Sequence, residues 1–310
     1  MARTRPDAPG PGLTGPDRAV ARLPRVRGVG EAFAFDFRPR FPTGDLGRAV
    51  EQVWYARGTV PYARERIAPT GSTVVVLVLG ASIRATPDDG AGTSLLATHG
   101  FVVGPHDRPL VNEPTGETHA VGIVTTPVGC RAALGLRPAR LRGAVAALED
   151  AWPEGLALRA ELLGQADPEL GLDTVEDHLR RRLDLSVPAL ARCELAVDLL
   201  EADPTRAVHD VARELVVSAA QLGRDFTRVV GTSPRVLARQ LRVRRLLAGI
   251  DATTDQPWAD LAAALGWYDQ AHLIRDFRRH TGVTPTAYLA AQRAWRPEGD
   301  TDTAGFVPER

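Results

Sequence analysis

The sequence predicts an α+β chain in two parts, a β-rich sandwich or barrel followed by an all-α domain made of two similar helical units. Three observations carry this. The run 72–79 is apolar and β-branched between Gly71 and Gly80, and shorter apolar runs at 101–103 and 120–124 end at Gly104-Pro105 and just before Pro127. Short strands punctuated this way belong to sandwiches and barrels. From residue 140 onward the apolar residues fall at helical spacing instead. Third, a segment near the C-terminus occurs twice. Its offset is 50 residues in the first half (Ala212 to Ala262, Leu215 to Leu265) and 51 in the second (Leu222 to Leu273, Phe226 to Phe277, Gly231 to Gly282, Pro234 to Pro285).

Residues 1–30 are rich in Pro, Gly and Arg without periodicity and are expected to be disordered, as is the tail 297–310. Residues 31–139 form the β-rich domain. Within it only 45–55 reads as a helix, with Leu46, Val50, Val53 and Trp54 at helical spacing. A helical connector spans 140–190. Leu156, Leu158, Leu162 and Leu163 mark one helix there, and 173–183 runs from an acidic start to a basic finish, which suits the helix dipole. Residues 188–200 lead into the helical domain that contains both copies of the repeat, 191–296.

Each copy is a short apolar helix, a tight turn, a capped second helix and a glycine-containing stop. That is the pattern of a helix-turn-helix, whose second helix can enter the DNA major groove. Ser218 and Asp269 stand where the second helices need N-caps. One extra residue lies in the second copy's turn, beside Gly266, where the first copy has Val216. A β-branched residue disfavours positive φ, so the first turn is either built differently or strained.

The pair resembles the DNA-binding domain of the AraC/XylS family of bacterial transcription regulators, which carries two such units on one chain joined by a long helix. The matching residues in the first unit are Ala212 to Leu215, Ser218, Leu222, Arg224, Phe226 and Gly231-Thr-Ser-Pro234. In the second they are Leu261-Ala262, Leu265-Gly266-Trp267, Asp269 to Leu273, Arg275 to Arg278, Gly282-Val-Thr-Pro285 and Tyr288. Through 65–71, 101–105 and 126–129, the N-terminal part is similar to the cupin-like domain that precedes the double motif in one branch of the family. The resemblance implies a sequence-specific transcription factor that binds double-stranded operator or promoter DNA. It also implies an N-terminal domain that senses a small-molecule effector or mediates homodimerisation, and RNA polymerase as a further partner.

Leu222 and Phe226, with Leu273 and Phe277, fix the core side of the two recognition helices. The candidate DNA-binding residues are then Ala220, Gln221, Gly223, Arg224, Thr227 and Arg228 in the first, and Gln270, Ala271, Ile274, Arg275 and Arg278 in the second. Arg pairs bidentately with guanine and Gln with adenine, while Ala and Ile meet the thymine methyl. Ala220 and Gly223 offer few groups, so the second unit is expected to supply most direct readout. The competing reading of Arg224 and Arg275 is a surface salt bridge with Asp225 or Asp276. Phe226, Phe277, Trp258, Trp267 and Leu273 read as core. Arg235, Arg239 and Arg242 form a stripe on the connecting helix, either a solvated face or a phosphate-contacting one.

A hydrophobic content of 44% and a charged content of 25% are ordinary for a globular chain. The net charge is zero, yet residues 204–296 hold 14 Arg against 8 Asp and Glu, leaving +6 there and −6 elsewhere. A basic end is the electrostatic footprint of a DNA-binding module. Cys130 and Cys193 lie far apart without metal spacing and read as buried thiols in a reducing cytoplasm. No apolar run reaches the ~18 residues of a membrane span, and the N-terminus lacks a signal peptide's apolar run, so a cytoplasmic location is expected. His99, His106 and His119 include no His-x-His pair, so neither metal nor cofactor is expected. The chain reads as no enzyme. The rival is a cupin-like or thiol enzyme fused to a DNA-binding domain, for which Cys130 is the foothold.

Overall fold

The computed structural model describes residues 35–88, 93–295 and 305–309. Its strands are β1 (Phe35–Arg40), β2 (Val50–Gly58), β3 (Arg64–Ile67), β4 (Val74–Val78), β5 (Ile83–Pro87), β6 (Leu95–Ala97), β7 (Gly100–Val103), β8 (Leu110–Pro114), β9 (Thr118–Thr125), β10 (Val145–Ala147) and β11 (Phe306–Glu309). They form two antiparallel sheets, in the orders β1-β2-β9-β4-β7-β10 and β11-β3-β8-β5-β6. Side chains of a strand alternate between its faces, and the first sheet is covered on both. Val53, Tyr55, Val75, Leu77, Val102, Val121 and Ile123 join a core shared with helices. Val76, Val78, Phe101, Val103 and Ala120 pack toward the second sheet. Burial on both faces is why 72–79 reads as an unbroken apolar run.

The helices are α1 (Gly44–Ala49), α2 (Gly129–Leu134), α3 (Pro138–Leu141), α4 (Leu148–Ala151), α5 (Glu154–Leu163), α6 (Pro168–Arg182), α7 (Leu190–Ala202), α8 (Val208–Glu214), α9 (Ala219–Val229), α10 (Pro234–Gly249), α11 (Trp258–Ala264), α12 (Gln270–Thr281) and α13 (Pro285–Trp295). Helices α5 and α6 lie against β4 and β2. α6 starts upstream of the acidic residue expected to open it, because Asp167 caps Glu169 N at 2.9 Å and Pro168 takes the first helical position. Helices α8–α9 and α11–α12 are the two helix-turn-helix units, and α10 joins them. The chain is α+β, as the sequence predicts.

Three expectations are corrected. The helix expected over 45–55 ends at Ala49, and 50–58 is a central strand paired with β1 and β9. Gln52, Trp54 and Ala56 line the space between the sheets while Val53 and Tyr55 face the helices, so a period of two governs there. The connector is not wholly helical, since β10 pairs with β7 (Val145↔Val103) and carries the sheet past residue 139. The tail is not wholly disordered either. β11 pairs with β3, Val307 is buried in the second unit's core, and Glu309 takes ion pairs from Arg64 and Arg66. The remainder of 297–310 from Pro297 to Ala304, Arg310, and the 1–30 segment lie outside the described residues.

One core runs from Leu46 through α6 and α7 to Phe226 and Leu241, so the first helix-turn-helix unit shares its interior with the β-rich domain. A separate core, with Val243, Trp267, Leu273, Phe277 and Tyr288, belongs to the second.

Candidate nucleic-acid interface

The two turns are built alike. Val217 N bonds Ala212 O at 3.0 Å, and Trp267 N bonds Ala262 O at 2.8 Å, each a six-residue closure around one left-handed residue. In the second unit that residue is Gly266 at φ 76°; in the first it is Val216 at φ 55°. The first turn is therefore the same turn held under strain. The residue added in the second turn is Tyr268, which is exposed between Trp267 and the Asp269 cap.

Both second helices are capped as their sequences require. Ser218 accepts from Gln221 N at 3.1 Å and Asp269 from His272 N at 2.6 Å. Gly231 and Gly282 end the units at φ 82° and 79°, and Ser233 caps α10 with Pro234 in its first position. Leu222, Phe226, Leu273 and Phe277 are fully buried. Phe277 meets Trp258 and Tyr288 edge-on, with ring centroids 6.1 and 5.4 Å away.

The opposite faces are open. On α9, Ala220, Arg224, Thr227 and Arg228 are exposed and Gln221 and Gly223 are half-buried. On α12, Gln270, Ala271, Arg275 and Arg278 are exposed, while Ile274 is half-buried against the second core. The salt bridges weighed for Arg224 and Arg275 do not form. Arg224 donates to Gln221 Oε1 at 2.6 Å, and Asp276 accepts from Trp267 Nε1 at 3.0 Å and faces His272. Asp225, 1% exposed, instead collects Arg192 (2.6 Å), Arg228 (2.7 Å) and Gln221 (3.0 Å). Burial works to raise its carboxyl, but the hydrogen bonds from Gln221 and Arg192 and the two guanidinium charges outweigh that and hold it below the usual carboxylate range. Gln221 and Arg228 are thus tied directly to the buried Asp225, whereas Arg224 reaches only the exposed side of Gln221.

The arginine stripe on α10 is mostly engaged inside the protein. Of Arg235, Arg239 and Arg242, Arg235 alone is exposed. Arg239 pairs with Asp107 at 3.1 Å, and Arg242 donates to Gly266 O and Pro204 O and lies over the Trp267 ring, tying the two units together. Asp107 also takes Arg279 of α12 at 2.6 Å. Arg244 bonds Thr70 O (3.1 Å) and Glu51 (3.3 Å), and Gln240 bonds His106 O. The contacts of Asp107, His106, Thr70 and Glu51 with α10 and α12 escaped the sequence because each joins residues more than 130 positions apart.

A cavity of about 260 Å³ lies between the sheets. Gln52, Trp54 and Phe101 line it from the first sheet, Glu65 and Asn112 from the second, and Arg244 of α10 and His280 of α12 close it. A cleft of about 330 Å³ beside Thr227 separates α9 and the start of α10 from loops 105–109 and 142–144 and the first residue of β10. Cys130 is 1% exposed, and burial pushes its thiol up to about 12, out of nucleophile range. His106 Nδ1 sits 2.7 Å from Gly104 O, His119 meets Tyr55 edge-on, and His99 lies 3.7 Å from Glu149. Among the described residues no group of three His, Cys, Asp or Glu could hold a metal ion, and no helix is long and apolar enough to cross a membrane.

Residues 211–291 match the family described as a helix-turn-helix domain, and residues 38–147 match one described as a domain of unknown function. Over 190 residues the chain is 30% identical to the probable bifunctional transcriptional activator/DNA repair enzyme AlkA of Mycobacterium tuberculosis. That alignment covers 61% of this chain and 36% of AlkA, so the chain spans little more than a third of that relative's length. Among solved structures it is similar to ToxT from Vibrio cholerae (TM-score 0.42, 10% identity, 83% of this chain and 98% of that one). It is also similar to ToxT with an unsaturated fatty acid bound (0.41, 11%, 85% and 96%) and to the AraC-like transcriptional activator CuxR (0.31, 18%, 73% and 84%).

Proposed function

We infer that this chain is an AraC/XylS-type DNA-binding transcription regulator that reads its operator with α9 and α12, set into successive major-groove segments ~34 Å apart. The observation that carries this is the pair of capped helices on one chain, each with a fully buried inner row and an open outer row. In this reading α12 supplies most direct readout. Arg275 and Arg278 reach guanine or phosphate, Gln270 reaches adenine, and Ala271 and Ile274 meet methyl groups. On α9, Ala220 and Gly223 allow close approach, Arg224 and Thr227 contact the backbone, and Gln221 and Arg228 act mainly by holding α9 through Asp225. The +6 charge of 204–296 supplies the sequence-independent attraction.

The cavity between the sheets is the effector site in the same reading. Its wall includes Arg244 and His280, so a molecule that fills it alters what α10 and α12 pack against. A ligand shifts such an equilibrium only through different contacts in the two states, and these two residues are where the contacts differ. The buried Cys130 thiol favours this over a thiol enzyme.

Base-by-base competition with two variants tests the DNA reading. Arg275→Ala should weaken the selected site by about 1–3 kcal/mol and relax preference at one base pair. Arg224→Ala should lower affinity more evenly across sequences. The reverse pattern would make α9 the reader and sink the assignment.

A further inference from the structure

We propose that the cavity takes a neutral, largely aromatic molecule of one or two rings, whose oxygen acceptor is gripped by Gln52 and Trp54. This rests on the cavity being the effector site.

Its walls set the apolar part. Phe37, Trp54, Phe101 and Phe306 surround the space. A Cβ at Gly122 would lie inside the Trp54 ring, so this glycine lets the indole lie flat on β9. Phe37 supports the same ring at a centroid distance of 6.0 Å. An apolar cavity of ~150 Å³ accepts benzene; about 260 Å³ leaves room for a second ring.

The polar groups set the rest. Gln52 Nε2 and Trp54 Nε1 are both buried, both on the inward row of β2, and neither has a hydrogen-bond partner among the described residues. Both nitrogens donate only. Buried donors are almost always paired in folded proteins, so two lone ones on residues two apart along one strand of the cavity wall call for an acceptor from the ligand. His280 Nε2, on a residue 3% exposed, is likewise without a partner, and it places a third polar atom on α12.

The lining disfavours an anion. Arg244, the guanidinium in the wall, is already bonded to Glu51 and Thr70 O. Glu65 sits on Tyr62 Oη (2.8 Å) and Asn112 Nδ2 (2.9 Å). A carboxylate ligand would find Arg244, the one guanidinium among the described lining residues, already engaged by Glu51, and would lie near the Glu65 carboxyl, which burial pushes up, so it would lose its hydration without a dedicated partner. The imidazoles give no help, since burial keeps His106 and His280 in their neutral forms.

The test is calorimetric titration of the full chain with three probes of one shape: 2-acetonaphthone, 2-naphthoate and naphthalene. The ketone should bind, with naphthoate at least tenfold weaker. Gln52→Leu should erase the preference for ketone over naphthalene, about tenfold, while its melting temperature stays at or above that of the parent, because a lone buried donor has been removed. Trp54→Phe provides the same comparison in a second background. Naphthoate binding as tightly as the ketone would overturn the neutral class and leave the effector cavity standing. Failure of all three probes would overturn both. A ketone preference unchanged in both variants would overturn the assignment of Gln52 and Trp54.

Discussion

Replacing Val216 by glycine should stabilise the protein, although it removes a side chain and adds backbone freedom. Val216 is held at φ 55° and is 90% exposed, so the substitution sacrifices almost no burial. A left-handed conformation costs a residue with a Cβ roughly 1–2 kcal/mol, more at a β-branched one. Glycine gives back roughly 0.5–1 kcal/mol through the greater freedom of its unfolded chain. The difference favours Val216→Gly by about 0.5–1 kcal/mol, or roughly 1–4 °C in melting temperature. The second unit supplies the mirror experiment. A Cβ at Gly266 would lie 2.6 Å from Thr205 Cγ2, on a backbone at φ 76°. Gly266→Val should therefore cost about 2–3 kcal/mol, strain and crowding together. Circular dichroism melts of the two variants and the parent decide it. A fall in melting temperature for Val216→Gly, or no change for Gly266→Val, would refute the view that the two turns are one structure with different strain.

Phe226→Ala and Phe277→Ala should each cost about 3–5 kcal/mol as cavity-forming changes. Because Phe226 lies in the continuous core and Phe277 in the separate one, the first should lower the main melting transition. The second should loosen α11–α13 ahead of it, seen as faster amide exchange there. Asp107→Ala releases Arg239 and Arg279; if both then reach phosphates, the slope of log affinity against log salt steepens by about 1–2 in anisotropy titrations. His280 is held down to about 3 by burial first, then by the charges of Arg244, His106 and Arg239 against the opposing Asp107. The unfolded chain, with a histidine near ~6.5, takes up more protons between these values. Stability from this residue is thus complete above the upper value and falls as pH drops toward the lower one. Melting temperatures from pH 7 to pH 4 should decline less steeply in His280→Gln than in the parent.

The parts legible in the sequence are those fixed by local chemistry. Ser218 and Asp269 cap the helices that begin beside them, Gly231 and Gly282 stop the helices that end there, and the spacing of Leu222 to Phe226 and Leu273 to Phe277 marks which face is core. The segment 45–55 misled because Leu46, Val50, Val53 and Trp54 satisfy a helical period by coincidence. Pairing with β1 and β9, far away in sequence, decided for a strand after Ala49. The short strands β10 and β11 exist only because β7 and β3 offer edges, and nothing within three or four residues announces that. The Asp107 pairs and the Arg244–Glu51 bond were unreadable for the same reason. So was the cavity, whose lining is gathered from both sheets, α10, α12 and β11. Among the α10 arginines, position on the helix was readable but engagement was not.

The most direct test of two recognition helices on one chain is selection of bound double-stranded DNA by the full protein from a random pool, with footprinting on the enriched sequence. The predicted result is two enriched segments centred ~10–10.5 base pairs apart on one face of the duplex, with the stronger base preferences in the segment that Arg275→Ala relaxes. Enrichment of a single short segment unaffected by Arg275→Ala, or binding with no sequence preference at moderate salt, would contradict it.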